Sequence, residues 1–208
     1  MKIVPQTVEI LTPIDGTYIC KFIEKCARNC YKSEKSITED SYKTMLERLI
    51  KSGHTAMLEH FNITVKLVTN VGCYKDLTRH RMASYAIEST RWCNYDKDKF
   101  GNELTFTDPI HIDHNKEEYK IWFETMQTIE NNYMKMSELG CKPDQMRMIL
   151  PHSTKADVIM TANIREWRHI FGLRCKKDAH PEVQYIMVLL LKEFKEKIPI
   201  LFDDIVVD

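Results

Sequence analysis

Arg79-His80-Arg81-Met82-Ala83-Ser84-Tyr85-Ala86-Ile87-Glu88-Ser89-Thr90-Arg91 places three arginines, a histidine and two serines within thirteen residues. A guanidinium offers five donors in a fixed fork that matches phosphate, and serine hydroxyls with the N–H groups of a turn can complete a cradle, so this stretch suits an anion. A solvated basic edge is the plainer reading of a charge run. Against it, Leu77, Met82, Ala83, Tyr85, Ile87 and Trp92 interleave the arginines with residues that favour burial, and a buried arginine needs a partner. A second such stretch is Asn163-Ile-Arg-Glu-Trp-Arg-His-Ile-Phe-Gly-Leu-Arg174. At ~100° per residue, Ile164, Trp167, Ile170 and Phe171 form an apolar face onto which Asn163 and Arg174 also project. Arg165 and His169 lie one turn apart on the other face, so the helix serves two sites, or one site shared between subunits. An inward arginine at a helix end requires an anionic partner. The remaining histidines do not point to a metal. His54 and His60 stand six residues apart across a loop, and His111-Ile112-Asp113-His114 lies in a polar loop.

These side chains need a scaffold, and the hydrophobic periodicity supplies one. Val4 and Thr7-Val8-Glu9-Ile10 alternate toward Thr12-Pro13, which suits a strand closed by a turn. Tyr18 to Cys30 reads as a helix with Ile19, Phe22, Ile23, Cys26 and Ala27 on one face; Thr38 to Gly53 reads as another, with Thr38 or Ser41 as cap and Gly53 just past its end. Phe61, Ile63, Val65 and Leu67 alternate with polar residues in a long half-buried strand. Glu103 to Thr107 is a short strand at a sheet edge. Asn115 to Leu139, capped by Asn115, is the longest helical pattern and is expected to form core and subunit interface. Pro143 to Leu150 is a shorter helix, Thr154 to Thr161 a strand with Ala156, Val158 and Met160 on one face, and Val183 to Phe194 a final helix. The fold class expected is α+β, an antiparallel sheet flanked by long helices, in one domain spanning residues 1–208. No Gly-x-Gly-x-x-Gly is present, which argues against a Rossmann dinucleotide site.

Thirty basic and thirty acidic residues give a formal charge of zero. That argues against a binder of nucleic-acid polymers or anionic membranes, whose affinity rests on net positive charge, so any phosphate site is local. Seven cysteines, an odd number without a Cys-x-x-Cys pair, read as reduced thiols in a cytoplasmic protein. Met1 to Thr12 lacks the apolar run of a secretory signal, and no window reaches the ~18 apolar residues of a membrane span.

Arg79-His80-Arg81, seven residues and then Ser89 resembles the Arg-His-Arg-(x7)-Ser signature of the flavin-dependent thymidylate synthases, the ThyX family, and Ser89-Thr90-Arg91 followed by Trp92 continues the likeness. Further segments resemble the family in order. Ala27-Arg28-Asn29-Cys30 is similar to its Ala-Arg-x-(Ser/Cys) element near the flavin, although a helix end with a core cysteine fits these residues equally. His54-Thr55-Ala56-Met57-Leu58-Glu59-His60 is similar to its flavin-contacting loop. Arg147-Met148-Ile149-Leu150-Pro151 is similar to its Arg-x-x-Leu-Pro element, and Asn163 to Arg174 to its Asn-x-Arg-x-x-x-(Asn/His)-x-x-x-Leu-Arg helix. The resemblance implies a ThyX-like fold and a homotetramer with flavin at subunit junctions. It implies FAD contacts at Cys30, His54, Glu59, Arg79, His80, Arg81, Met82, Asn163, Arg165, His169 and Leu173. For dUMP it implies Asp76, Arg79, Ser89, Thr90, Arg91, Arg147 and Arg174, with Arg174 and Ser89 as the catalytic candidates. Ser89, flanked by arginines and a glutamate, is expected to hold the nucleotide rather than attack it. This chain departs from the family at Ala56, Ala86, Ile87 and Asp178, to which no role is carried over. Asp76 is one methylene shorter than the usual Gln or Glu.

The function so implied is conversion of dUMP to dTMP, a methyltransferase reaction with methylenetetrahydrofolate as carbon donor and NADPH reducing FAD. Two other readings stay open on the residues alone. A nucleotide-binding regulator without catalysis would use the same arginines and no flavin; a His-dependent metal hydrolase would hold stoichiometric metal.

Overall fold

The structure, a computed structural model, describes residues 1–207. In strand β3 (Asn62–Asn70), Ile63, Val65 and Leu67 are buried while their neighbours are not, the period of two that a half-covered strand imposes. Strand β6 (Lys155–Asn163) repeats it with Ala156, Val158, Met160 and Ala162. With β2 (Thr7–Ile10) and β4 (Ala83–Ile87) they form a four-stranded sheet in the order β2-β3-β6-β4. Ile164 N donates to Phe61 O and Val71 N to Thr154 O, so the partner numbers fall as β3 advances, and β3 and β6 run antiparallel. The same count relates β2 to β3, through Leu11 N to Thr64 O at one end and Thr69 Oγ1 to Gln6 at the other.

One strand was expected before Thr12; there are two. Pro5, with no N–H to give a ladder, separates β2 from β1 (Lys2–Val4). β1 pairs in parallel with β5 (Thr105–Thr107), Lys2 opposite Thr105, in a separate two-stranded sheet.

The chain divides into two compact units. The first comprises residues 1–7, 67–79 and 86–159. Its core joins Tyr95, Leu104 and Phe106 to Met126 and Tyr133 of helix α4 (Glu117–Glu138) and Met146 of α5 (Pro143–Met146). Helix α4 starts after Lys116, not at Asn115, whose side chain hydrogen-bonds Asp113 instead. The helix expected over Pro143 to Leu150 tightens after Met146 into a 3-10 turn at Arg147–Ile149. A short helix, α3 (Val71–Leu77), went unanticipated between β3 and the arginine segment. Asn70 explains it: its Oδ1 accepts from Cys73 N at 2.9 Å while its Nδ2 donates to Thr107 Oγ1 at 2.8 Å, a cap anchored at both ends.

The second unit comprises residues 8–66, 80–85 and 160 onward. Helix α1 (Gly16–Asn29) is capped by Asp15, which accepts from Tyr18 N at 2.9 Å. Helix α2 (Ser41–Lys51) begins at Ser41, not Thr38, and Gly53 beyond it adopts φ 74°, the left-handed conformation a helix stop favours. Helix α6 (Ile164–Arg174) buries Ile164, Trp167, Ile170 and Phe171, the face that periodicity selected. It packs on α7 (Pro181–Lys197), which in turn packs on α8 (Pro199–Phe202). Phe171, Phe194 and Phe202 meet edge to face at 4.9–5.9 Å between ring centres, the arrangement that ring quadrupoles favour. Arg168 fastens the chain after α8 by a two-pronged bond to Asp204 at 2.7 and 2.6 Å. Among the described residues, no helix is long and apolar enough to cross a membrane.

At the start of α1, a Cβ on Gly16 would lie 2.3 Å from the carbonyl oxygen of Lys197 at the end of α7. Backbone, not a mobile side chain, stands in the way. Gly16→Ala is therefore expected to destabilise the protein by about 1–3 kcal/mol, the usual cost of overpacking, read as a lower midpoint in urea unfolding. An unchanged midpoint would show that these helix ends part at no cost.

Candidate functional site

The second unit assembles its polar residues around α6. Asn163, at the helix N-terminus, accepts from Glu166 N at 2.8 Å through Oδ1. Its amide nitrogen is left as the donor a ligand would meet. Arg165 and His169 follow one turn apart, and with Glu59, Met82, Asn163 and Glu166 they line an open cleft of about 310 Å³. Arg165 Nη1 lies 2.5 Å from Glu59 Oε1, so the loop before β3 and α6 each supply one member of an ion pair at the cleft wall. Met82 is 71% exposed and can pack against a flat ligand.

At the inner end of this group lies His80, 6% exposed. Arg174 Nε donates to its Nε2 at 3.0 Å. Arginine has donors only, so His80 accepts there, and a neutral imidazole that accepts at Nε2 carries its proton on Nδ1. Nδ1 faces Glu166 Oε1 at 3.7 Å. The His169 ring meets His80 edge-on at 5.9 Å between centres, and Tyr85 Oη donates to the His80 carbonyl at 3.0 Å. Burial first, then the Arg174 and His169 charges, lower the His80 pKa from 6.5 to about 4. Burial, with Glu166 adding to it, raises the Tyr85 hydroxyl to about 12.

The ligating atoms of His80, Glu166 and His169 lie within 4.8 Å of one another, close enough for a metal ion. The guanidinium of Arg174 at His80 Nε2 opposes a cation there and already uses one of the ring's two nitrogens.

The depressed His80 pKa carries a stability consequence. The unfolded chain binds a proton near pH 6.5 and the native one only near pH 4, so the native state holds fewer protons between these values. The contribution of His80 is thus complete above pH 6.5 and is lost as pH falls toward 4. Thermal midpoints of the wild type should drop across this window more steeply than those of His80→Gln, which has no titrating group; parallel slopes would contradict the burial of a neutral histidine.

A further group of expected flavin residues borders a second cleft of about 310 Å³, lined by Ala27, Cys30, Tyr31, His54, Ala56 and Met57 among others. Cys30 is exposed, which removes the reading as a core cysteine, and its Sγ lies 4.0 Å from Met57 Sδ. Leu173, 46% exposed, follows His169 by one turn of α6. Arg81 is exposed, just before Met82.

In the first unit, the expected nucleotide residues sit at element ends. Asp76 closes α3, and its carbonyl accepts from Arg79 N at 3.3 Å. After β4, Ser89 O accepts from Trp92 N and Cys93 N, so Ser89, Thr90 and Arg91 form a turn. The Arg91 guanidinium lies 5.4 Å from the Trp92 ring centre. Arg79, Arg91 and Arg147 are all exposed. Glu88 was missed as a structural partner of this turn. Its carboxylate accepts from Tyr95 Oη at 2.9 Å, Lys155 Nζ at 2.8 Å and Asp157 N at 3.2 Å. Glu88 thereby ties the residue before Ser89 to β6, and being so engaged it is not poised to take the Ser89 proton.

Residues 17–200 match the family model described as thymidylate synthase complementing protein. The flavin-dependent thymidylate synthase of Pyrococcus abyssi is 31% identical over 168 residues, covering 80% of this chain and 68% of its own. The chain belongs to the flavin-dependent thymidylate synthases. The Geobacter sulfurreducens enzyme of that name is 27% identical over 186 residues, covering 86% of this chain and 78% of its own. Among solved structures, the UMP/dUMP methylase PolB of Streptomyces cacaoi, bound with 5-Br dUMP, superposes with a TM-score of 0.80 at 19% identity over 98% of this chain and 96% of that one. ThyX of Helicobacter pylori, with FAD and dUMP, superposes with a TM-score of 0.77 at 20% identity over 96% and 98%. At these identities the two structures establish the shared fold.

Proposed function

We propose that the chain converts dUMP to dTMP as a flavin-dependent thymidylate synthase, with methylenetetrahydrofolate as carbon donor, NADPH as reductant and FAD as cofactor. It acts in the cytoplasm as a single synthase domain that assembles into a homotetramer. The observation that carries this reading is the convergence of Glu59, Met82, Asn163, Arg165 and His169, drawn from three separate segments, on one cleft, in a chain with family membership over most of its length.

The residues present fit a flavin. Asn163 offers amide donors, Arg165 and Arg81 offer charge for a pyrophosphate, and Met82 and Leu173 offer exposed apolar surface for a ring. Asn163, Arg165, His169, Met82, Glu59, Leu173, Arg79, His80 and Arg81, with Cys30 and His54, are assigned to it. When bound, FAD carries reducing equivalents from NADPH to the uracil ring. The remaining roles belong to the protein. Arg79, Ser89, Thr90, Arg91 and Arg147 hold the nucleotide, and Asp76 accepts a ring N–H. Arg174 stabilises the negative charge that develops on a uracil oxygen, which favours the ring form that accepts hydride. Positioning and charge stabilisation do the work, and no cysteine nucleophile is required.

Purified protein titrated with FAD should show a flavin band whose position and fluorescence differ from those of free FAD, and dUMP should perturb that band. A protein that stays colourless after gel filtration with excess FAD contradicts the proposal and favours a nucleotide-binding regulator.

A further inference from the structure

We infer that Glu88 is a positioning residue for the turn at Ser89-Thr90-Arg91, which it fastens from both ends so that the turn is ordered before dUMP arrives. The inference rests on the reading of Ser89, Thr90 and Arg91 as residues that hold the nucleotide.

The surroundings of Glu88 are not those of a surface carboxylate. Its side chain is 14% exposed and both of its oxygens are engaged. Oε2 accepts from Lys155 Nζ at 2.8 Å and from Asp157 N at 3.2 Å, while Glu88 N donates to Asp157 O at 2.9 Å. Backbone and side chain of one residue therefore grip the same stretch of β6, just where β4 ends and the turn begins. Oε1 accepts from Tyr95 Oη at 2.9 Å. Tyr95 is itself fixed in the core, its ring 5.6 Å from that of Phe100 and 6.0 Å from that of Tyr133 between centres. The next residue, Asp96, accepts from the Ser137 hydroxyl of α4. Residues 89–94 thus lie between two anchors that meet on one carboxylate, and inside them Ser89 O accepts from Trp92 N at 3.0 Å and Cys93 N at 2.9 Å.

A carboxylate beside a phosphate site would by its charge alone repel the ligand. Lys155 offsets that charge, its ammonium 2.8 Å from both Glu88 Oε2 and Asp157 Oδ1. Burial by itself would lower the Lys155 pKa, but the bonds to Asp157 and Glu88 raise it, so the side chain stays a cation. What Glu88 contributes to the turn is then geometry. A loop that must be ordered on binding weakens affinity by the entropy it loses, and a loop fixed beforehand does not.

Two near-isosteric substitutions test the role in FAD-loaded protein. Glu88→Gln keeps the shape but turns an amide nitrogen or a weaker acceptor toward groups that are all donors. Tyr95→Phe keeps the ring in the core and removes only the downstream tie. By hydrogen exchange and mass spectrometry, the amides of residues 89–94 should exchange faster in both variants than in wild type. The KM for dUMP should rise about tenfold in Glu88→Gln and about threefold in Tyr95→Phe, the scale of two hydrogen bonds lost against one. Turnover at saturating dUMP should stay within about twofold of wild type, the pattern of lost binding without lost chemistry, and FAD affinity should not change.

Unaltered exchange across residues 89–94 in folded Glu88→Gln overturns the proposal, as does faster exchange with an unchanged KM. A fall in turnover at constant KM, or a loss of FAD, also overturns it, because a general weakening of the fold would act in that way. If Glu88→Gln does not fold, Tyr95→Phe decides by the same readouts. A wild type that binds no dUMP overturns the nucleotide reading itself, a failure seen in the unsubstituted protein alone.

Discussion

Arg174→Ala should abolish most thymidylate formation while leaving FAD binding and its reduction by NADPH close to wild type. Arg174 is half-buried at the end of α6 and its Nε donates to His80; the role proposed for it is to bring a guanidinium charge to the nucleotide. Removing a charged donor costs about 1.5–3 kcal/mol, or roughly tenfold to 150-fold, for the ground-state contact alone. Further loss is expected because, in the proposed role, that charge also stabilises the oxygen that gains electrons in the transition state, where one preorganised donor is worth about 10²–10³ in rate. Arg174→Lys keeps the charge but loses both the fork and the Nε–H that His80 accepts, so it should fall nearer to alanine than to wild type. Release of tritium from carbon 5 of labelled dUMP, measured beside flavin absorbance, separates the two steps. Wild-type release by both variants would reduce Arg174 to a helix-end arginine.

The second large effect is on stability. Trp167 is fully buried, its Nε1 donates to Ile63 O at 3.0 Å, and its ring stacks 5.7 Å from Phe171 and lies 5.4 Å from Phe194. Trp167→Ala would open a cavity beneath the site helix and remove the indole donor from Ile63 O. Loss of about 3–5 kcal/mol follows from the cavity, and about 0.5–1.5 more from the hydrogen bond. Against a typical total of about 5–15 kcal/mol, that leaves little folded protein at growth temperature. Trp167→Phe refills most of the volume and should cost roughly half as much. Urea unfolding followed by circular dichroism checks both, and a midpoint for Trp167→Ala within experimental scatter of wild type would contradict this packing.

What could be read from the sequence follows from which interactions are local. The buried faces of β3, β6, α6 and α7 repeat every two or every three to four residues, and those repeats are written in Ile63-x-Val65-x-Leu67 and in Ile164, Trp167, Ile170 and Phe171. Helix α3 was invisible because it is seven residues long and depends on Asn70 reaching Thr107, thirty-seven positions away. The parallel pairing of β1 with β5 is likewise a contact between distant segments. At the site, the resemblance selected Asn163, Arg165 and His169, and the structure adds how they are held. Asn163-x-x-Glu166 has the spacing of a helix cap, a local signal that the face-by-face reading of this helix passed over. That Glu166 then faces His80, and that His80 accepts from Arg174, required the fold to bring residues 80 and 174 together. Glu88 escaped for the same reason, since its partners Tyr95, Lys155 and Asp157 converge only in three dimensions.

The central claim is tested most directly by anaerobic turnover. Purified protein with FAD, NADPH, methylenetetrahydrofolate and dUMP should form dTMP, with NADPH and dUMP consumed in equal amounts, and omission of FAD from protein stripped of flavin should stop it. UMP in place of dUMP, offered in a parallel reaction, reports whether the sugar is discriminated. Formation of dTMP that depends on FAD and on each co-substrate is the predicted result. If flavin-loaded, folded protein binds dUMP and consumes NADPH yet yields no methylated nucleotide from either substrate, the chain is not a thymidylate synthase.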